Sequence, residues 1–277
     1  MKRFPILVPL AFVLVLGPRI VLAQFTPGQI AQREAQEEFL MTAEILRFEP
    51  IGEGVTKPFK LYLKKGAVEA KAAWKNPSGT QSGFLEGWQY EIAAYRLDKL
   101  VGLNMIPPAE LEFQGKTGAL VYWVEYKYRL DKLVEQRIRI PDSAVDHTEK
   151  MKWLARAWDC LIANEDRNQQ NVLYTEDWRM ILFDHSRAFR STKEFTERLM
   201  FGRNGIQVSQ QGTPFLFRRL PRWFVEKVKA LTLEDVKAAV GTTLKDKEIK
   251  AILARRVLLI KEIEEMIKER GEAAVLY

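Results

Sequence analysis

The sequence predicts an α+β chain in two lobes, a small β-rich half followed by a larger helical half, with a cleft between them. Three observations carry this reading. Up to Tyr126, short alternating runs split by glycine turns surround one clear helical stretch. Beyond Tyr126 the apolar residues recur at helical spacing, in residues 151–163, 223–231, 233–240 and 247–267. Between the halves, residues 164–171 form a dense polar run pinned between an apolar helix and an apolar strand. The chain has 277 residues, 47% of them hydrophobic, which is enough for a substantial core; no repeat of 20–50 residues recurs, which excludes a solenoid or propeller.

The chain opens on an address. Lys2 and Arg3 precede an apolar run over residues 4–16, Gly17-Pro18-Arg19 breaks it, and Val21-Leu22-Ala23 offers a cleavage site. A spanning helix needs ~20 apolar residues, and this run is shorter and contains Pro5 and Pro9. We therefore expect export with cleavage near Ala23, the alternative being an uncleaved N-terminal membrane anchor; both place the rest outside the cytoplasm. The expected organisation is a signal peptide at 1–23, an N-lobe at 24–125 and a C-lobe at 126–277. Losing the leader removes three cations and no acid, so the net charge falls from +7 to +4, too mild a balance to imply nucleic acid. Cys160 is the only cysteine, which excludes an intramolecular disulfide; with only His147 and His185 beside it, a Cys/His zinc site is excluded too.

In the N-lobe, a helix is expected over 28–48, with Phe39, Leu40, Ala43 and Leu46 at helical spacing. Ile51-Gly52-Glu53-Gly54-Val55 precedes a strand at 59–63, a Lys65-Gly66 turn and a returning strand at 68–74. Residues 78–83 read as a loop. A helix at 86–101 ends on Gly102, where a C-terminal cap belongs. Pro107-Pro108 then forces extended chain before strands at 111–113 and 119–124. In the C-lobe, helix 151–163 carries Leu154, Trp158 and Leu161 on one face, and strands 172–174 and 180–183 are joined through Glu176-Asp177. Thr232 with Asp235 fits a capping box, and Ile249, Leu253, Val257, Ile260, Ile263 and Ile267 mark the expected buried stripe of the last long helix.

Eight consecutive polar residues are costly to bury without partners, so residues 164–171 face a cleft or solvent. Asp166 and Asn171 stand there, and Asp184 ends the strand that follows. Two carboxylates and one amide oxygen converging form a hard oxygen set suited to Mg²⁺ or Mn²⁺.

Asp-Arg-x-x-x-Asn, then strand, turn and a strand ending in Asp, resembles the catalytic and metal-binding loop pair of phosphatidylinositol-kinase-like enzymes. It also resembles their atypical protein-kinase relatives, the HipA-like bacterial toxin kinases and the secretory-pathway casein kinases. Glu91-Ile92-Ala93-Ala94-Tyr95, Leu100-Val101-Gly102-Leu103 and Ile106-Pro107-Pro108 extend the resemblance, which covers residues 52–189. It implies a two-lobed protein-kinase-like fold that binds ATP with Mg²⁺ or Mn²⁺. Gly52 and Gly54 are implied to approach the phosphates, Lys75 to hold the α/β-phosphates and Glu91 to pair with Lys75. Val124 to Tyr126 are implied to form the hinge against adenine. Asp166 is implied to act on the acceptor hydroxyl with Arg167 beside it in the catalytic motif, and Asn171 and Asp184 to hold the metal. For Lys75, Glu91 and the two glycines, an ordinary surface charge or plain turn is the alternative. Two positions depart from the pattern: Asn168 stands where the relatives carry histidine, and Ser186 where they carry glycine.

Residues 186–219 carry a net charge of +5, with Arg187, Arg190, Lys193, Arg198 and Arg203 among their cations. An acidic protein or an anionic headgroup, and hence peripheral membrane contact, fits that excess. The expected function is an exported atypical kinase acting on a protein hydroxyl, a lipid or small molecule being the lesser reading. The alternative is a pseudokinase that binds nucleotide or metal as an interaction module.

Overall fold

The computed structural model describes residues 25–52, 57–81, 83–113 and 116–277; the expected leader and Gly54 lie outside the described residues. Thr26 and Gln29 form a capping box that starts α1 (Pro27–Ala31), with Pro27 at its first position. α2 (Arg33–Thr42) buries Phe39 and Leu40. The expected helix to residue 48 stops here: Ala43 turns extended, and β1 (Glu44–Pro50) follows as a strand. The helix holds only as far as Thr42; Leu46 is exposed, and pairing with the next strand decides the conformation of β1.

β2 (Phe59–Lys65) and β3 (Val68–Lys75) form a hairpin across Lys65-Gly66. The expected loop at 78–83 is instead a second hairpin, β4 (Ser78–Gln81) with β5 (Phe84–Gly87). α3 (Gln89–Val101) consequently begins after Gly87 rather than at Glu86, and ends on Gly102 in the left-handed conformation, φ 76°. β6 (Ala109–Phe113) and β7 (Lys116–Tyr122) complete a five-stranded antiparallel sheet of order β1-β2-β3-β7-β6. Leu61, Leu63, Ala72, Trp74 and Leu120 pack under it against Phe39 and Leu40. The turn after α3 is locked by Asp98, which is fully buried, accepts from the backbone N–H of Met105 (2.8 Å) and Ile106 (3.0 Å), and pairs with Arg33 at 3.1 Å.

The chain then crosses to β8 (Tyr128–Arg129), α4 (Leu130–Glu135) and the long α5 (Asp142–Ile162). β9 (Val172–Tyr174) pairs with both β8 and β10 (Met180–Leu182) in a three-stranded sheet of order β10-β9-β8. Helices α6 (Lys193–Glu197), α7 (Arg222–Ala230), α8 (Leu233–Val240), α9 (Asp246–Arg270) and α10 (Glu272–Val275) close the lobe, with the Thr232/Asp235 capping box in place on α8. The stripe of α9 differs from expectation. Ile249, Ile252, Leu259, Ile263 and Met266 are buried, whereas Val257 is exposed and the fully buried Arg255 shares the inner face. α9 packs against α5, α6, α7, α8 and α10, so a single straight stripe could not serve all its contacts.

The large core joins α3 to the C-lobe: Ile92, Tyr95 and Leu97 lie in the same cluster as Trp158, Leu182, Phe224 and Ile252. Tyr90 Oη also donates to Glu248 Oε1 of α9 at 2.7 Å. α3 is thus fixed from both lobes, which matters for the carboxylate it carries into the cleft. Cys160 is buried.

Candidate active site

A cleft of about 520 Å³ lies between the lobes, and Lys75, Val124, Tyr126, Asp166, Asn171 and Asp184 all line it. Lys75 is the last residue of β3, and its Nζ stands 2.7 Å from Glu91 Oε1 and 2.9 Å from Asp184 Oδ1. Burial alone would lower the Lys75 ammonium, but the Asp184 and Glu91 carboxylates outweigh it and hold the group above its ordinary value. Burial would likewise raise Glu91, yet Lys75 and His185 hold it below the usual carboxylate range. Glu91 Oε2 accepts the backbone N–H of His185 at 3.0 Å, so one buried carboxylate fixes both the lysine and the loop after Asp184.

Asp184 adopts φ 59°, a left-handed conformation that Asp tolerates better than most residues and that turns its carboxylate back towards β3. Ser186 needs no such backbone freedom; its hydroxyl lies 3.1 Å from Asp184 Oδ1 and 3.2 Å from Glu86 Oε2.

Residues 164–171 leave α5 through Ala163, itself left-handed at φ 47°. Asn171 Nδ2 donates to the Asp166 carbonyl at 2.8 Å, which turns its Oδ1 away as the open amide atom. Asn168 Nδ2 donates to Asp166 Oδ1 at 3.1 Å, and Asn168 Oδ1 accepts from the N–H of Gln170 at 2.8 Å. The Asp166 carboxylate is therefore oriented by a neutral amide, at the position where the enzymes it resembles carry histidine.

Arg167 requires a correction. It points inward instead of lining the cleft, and every nitrogen is engaged. Nε and Nη2 lie 3.0 and 3.1 Å from the buried Asp159 carboxylate, and Nη1 donates to the carbonyls of Asn171 and Phe183, each at 2.9 Å. Nη2 also approaches His185 Nε2 at 2.9 Å. Arg167 is a clamp between the two loops, because a buried guanidinium must satisfy its donors within the protein. Since arginine can only donate, His185 Nε2 accepts and its Nδ1 carries the proton. Burial, helped by the charge of Arg167, lowers His185 below the ordinary imidazole value in spite of Glu91.

Gly52 has φ 79° in the β1–β2 connection but does not line the cleft, whereas Ile51 and Pro58 do. At the hinge, Trp123 N–H donates to the Lys71 carbonyl and Lys127 N–H to the Tyr174 carbonyl, both at 2.9 Å. The backbone of Val124 and Tyr126 between them enters none of the three sheets among the described residues. As for a metal, Asn171 Oδ1 and the Asp184 carboxylate are hard oxygen donors of the kind Mg²⁺ or Mn²⁺ takes, and they fit such an ion. No group of three or more His, Cys, Asp or Glu residues that could hold a metal occurs among the described residues.

Sequence reasoning missed Glu86 and misplaced Arg187. Glu86 was expected at the start of a helix; it is the penultimate residue of β5, 3% exposed, and lines the cleft. The cations of residues 187–203 mostly have acids: Arg190 pairs with Glu165, Lys193 with Glu197, Arg198 with Glu194, and Arg203 with Glu262, Glu265 and Glu269 of α9.

No protein-family model matches the chain, and no curated protein matches it. Solved structures do. Hydra Fam20, solved with sugar, superposes with a TM-score of 0.59 at 14% identity, over 89% of this chain and 92% of that one. The Golgi casein kinase with Mn/ADP bound gives 0.60 at 14% over 91% and 80%, and a second structure of the Golgi casein kinase gives 0.58 at 13% over the same shares. The chain has a kinase-like fold. At this identity the likeness speaks for the fold alone. The kinase-like cleft is the one described above, with β1–β3, β6 and β7 as its roof and the Asp166 and Asp184 loops as its floor.

Proposed function

We propose that the chain is an exported atypical kinase that transfers the γ-phosphate of ATP to a protein hydroxyl. The observation that carries this reading is the Lys75–Glu91–Asp184 constellation facing Asp166 across one cleft. Val124 and Tyr126 present backbone to the adenine, and Ile51 and Pro58 cover it from above. Lys75, kept charged by its two carboxylates, binds the α/β-phosphates. Asn171 and Asp184 would hold Mg²⁺ or Mn²⁺, which supplies charge neutralisation on the phosphates. Asp166, aimed by Asn168, orients the acceptor hydroxyl and accepts its proton. Little covalent help is needed, so positioning and electrostatics carry the rate.

Support from outside the chain is of two kinds. The Golgi casein kinase is solved with Mn/ADP, the ligand class proposed here, and its name places it in the secretory route, in keeping with the leader read from the sequence. Kinship with phosphatidylinositol-kinase-like and HipA-like enzymes rests on the Asp-Arg-x-x-x-Asn motif. An acidic protein acceptor, or an anionic headgroup at a membrane surface, would meet Lys193, Arg198 and Arg203, whose ion pairs are solvent-exposed and cheap to exchange.

The deciding experiment is incubation of the mature protein with γ-labelled ATP and Mg²⁺ or Mn²⁺, alone and with envelope extract. Label on protein is the expected outcome. ATP bound without any transfer would favour the second reading, a pseudokinase, for which the neutral Asn168 beside Asp166 speaks. A mature N-terminus at Gln24, read by mass spectrometry, is the expected result for export.

A further inference from the structure

Among the described residues, three cations line the cleft: Lys75, Arg129 and Arg187. Lys75 belongs to Glu91 and Asp184, and Arg129 is held by Asp131 through contacts of 2.7 and 2.9 Å. Arg187 is built differently. Its Nε and Nη2 both rest on Glu86 Oε1, at 2.9 and 2.8 Å, and its guanidinium carbon lies 4.4 Å from the Phe84 ring centroid. Glu86, nearly fully buried, is braced in turn by the Ser186 hydroxyl, and Gly87 N–H donates to the Ser186 carbonyl at 2.9 Å. The remaining nitrogen, Nη1, has no hydrogen bond among the described residues and stands 3.8 Å from Asp166 Oδ1.

That placement spans the transfer line. On one side, the chain of contacts Glu86–Ser186–Asp184–Lys75 leads to the phosphate-binding groups; on the other, Nη1 faces the carboxylate assigned to the acceptor. The catalytic loop offers no other cation for the moving phosphoryl, since Arg167 is consumed as a clamp and Asn168 is neutral. A guanidinium pinned on two nitrogens and open on the third needs no reorganisation when charge spreads over phosphoryl oxygens. The gap of 3.8 Å is too long for a hydrogen bond to Asp166, so it leaves Nη1 open to a phosphoryl oxygen entering beside the acceptor.

We propose that Arg187 is a catalytic residue that binds the γ-phosphoryl group through Nη1 during transfer, with Glu86 as its positioning residue. This rests on the phosphotransfer reading above. In the step, the acceptor oxygen forms a bond to the γ-phosphorus. The bond from that phosphorus to the β,γ-bridging oxygen breaks, its electron pair leaves with ADP, and the acceptor proton passes to Asp166 and then to water. Arg187 exchanges no proton; it carries charge only.

The test uses the mature chain and two readouts, the affinities for ATP and ADP with Mn²⁺ by calorimetry, and steady-state transfer to water and to protein. Arg187→Ala is expected to keep ADP affinity, to lose about tenfold in ATP affinity, and to lower kcat by ~10²–10³-fold, the range of a removed transition-state donor. Arg187→Lys is expected to stay at least about tenfold slow, because a point charge lacks the fork that rests on Glu86. Glu86→Gln is expected to lower kcat at unchanged ADP affinity. Added guanidinium ion should speed Arg187→Ala and leave Glu86→Gln unaffected. An unchanged ratio of ATP to ADP affinity in Arg187→Ala overturns the proposal even if the wild type never turns over. So does a defect confined to the KM of the protein acceptor, which would make Arg187 an acceptor contact. A wild type that binds neither nucleotide removes the phosphotransfer reading itself, a result distinct from either of these.

Discussion

The two walls of the cleft are built on opposite principles. On the side proposed to hold nucleotide, Lys75, Glu91 and His185 are all nearly inaccessible, and Glu91 sits on a helix held to the C-lobe by Tyr90 and Glu248. On the side proposed to meet the acceptor, Asn168 and Gln170 are exposed and Asp166 is partly exposed. Charges that must neutralise a phosphate chain gain from a dry, prearranged setting, whereas a wall that admits a macromolecule must stay open. The buried wall should therefore control binding and most of the site's stability, and the open wall chiefly rate.

Asp184→Ala attacks the first wall where it is most consequential. Loss of nucleotide binding and of transfer together is the expected result, because the carboxylate that pairs with Lys75 is also the one proposed to hold the metal. Thermal shift is sufficient: ligand at 100 times its Kd stabilises by ~2.7 kcal/mol, on the order of 5–10 °C for a domain of this size. The variant should show none of it. Lys75→Met belongs to the same wall and should also cost the fold about 3–5 kcal/mol in denaturant, since it strands a buried carboxylate.

Asp166→Ala is the matching probe of the open wall. Transfer should fall by ~10²–10⁴-fold while ATP affinity measured by calorimetry stays where it was. Equal loss of ATP affinity would erase the distinction between the walls.

How much of this contrast the sequence disclosed follows from chain distance. Asp166, Asn171 and Asp184 lie within one loop and hairpin, so their spacing can be read directly. Lys75 and Glu91 are sixteen positions apart in different elements, and only a family resemblance joined them. Glu86 and Arg187 are 101 positions apart, and nothing local marks them as partners. Glu86 was further hidden because the glycine and serine turn signals of residues 78–83 read as a loop, and Glu86 itself as the start of the helix that follows. At the other end of the lobe, Ala43 and Leu46 continued a helical pattern that pairing with β2 overrode. Arg167 shows the limit of motif reading, since its place in the motif suggested chemistry and its contacts show a clamp.

His185 gives the buried wall a pH signature. It is fully buried, faces Arg167, Glu91 and Asp159, and its imidazole is lowered from an ordinary value of 6.5. A base depressed in the folded state contributes stability above its unfolded pKa, and that contribution is lost as pH falls, because the unfolded chain takes the proton first. Denaturant stability of the wild type should decline below pH 6.5 with up to ~1.4 kcal/mol per pH unit from this one group. His185→Gln, whose amide oxygen can still accept from Arg167, should remove that part of the slope. An identical pH profile in the variant would place the acid sensitivity elsewhere.

The smallest expected effect tests the open wall at a position where the chain departs from the motif it resembles. Asn168 does two things that histidine cannot do together in this geometry: its Oδ1 caps the turn at Gln170 and its Nδ2 orients Asp166. Asn168→His should lose the cap, at about 1 kcal/mol, or a few degrees in Tm. Histidine can still donate to Asp166 Oδ1 from one ring nitrogen, so the carboxylate stays aimed and the rate should change by less than about tenfold. Phosphotransfer with γ-labelled ATP over pH 6–8 checks this. A gain well beyond tenfold, growing as pH rises and the imidazole becomes neutral, would show that proton removal limits the natural chain and that Asp166 only orients. A flat profile with the modest loss in Tm would leave Asp166 as sufficient for the acceptor proton, and the open wall as one in which precise charge matters less than access.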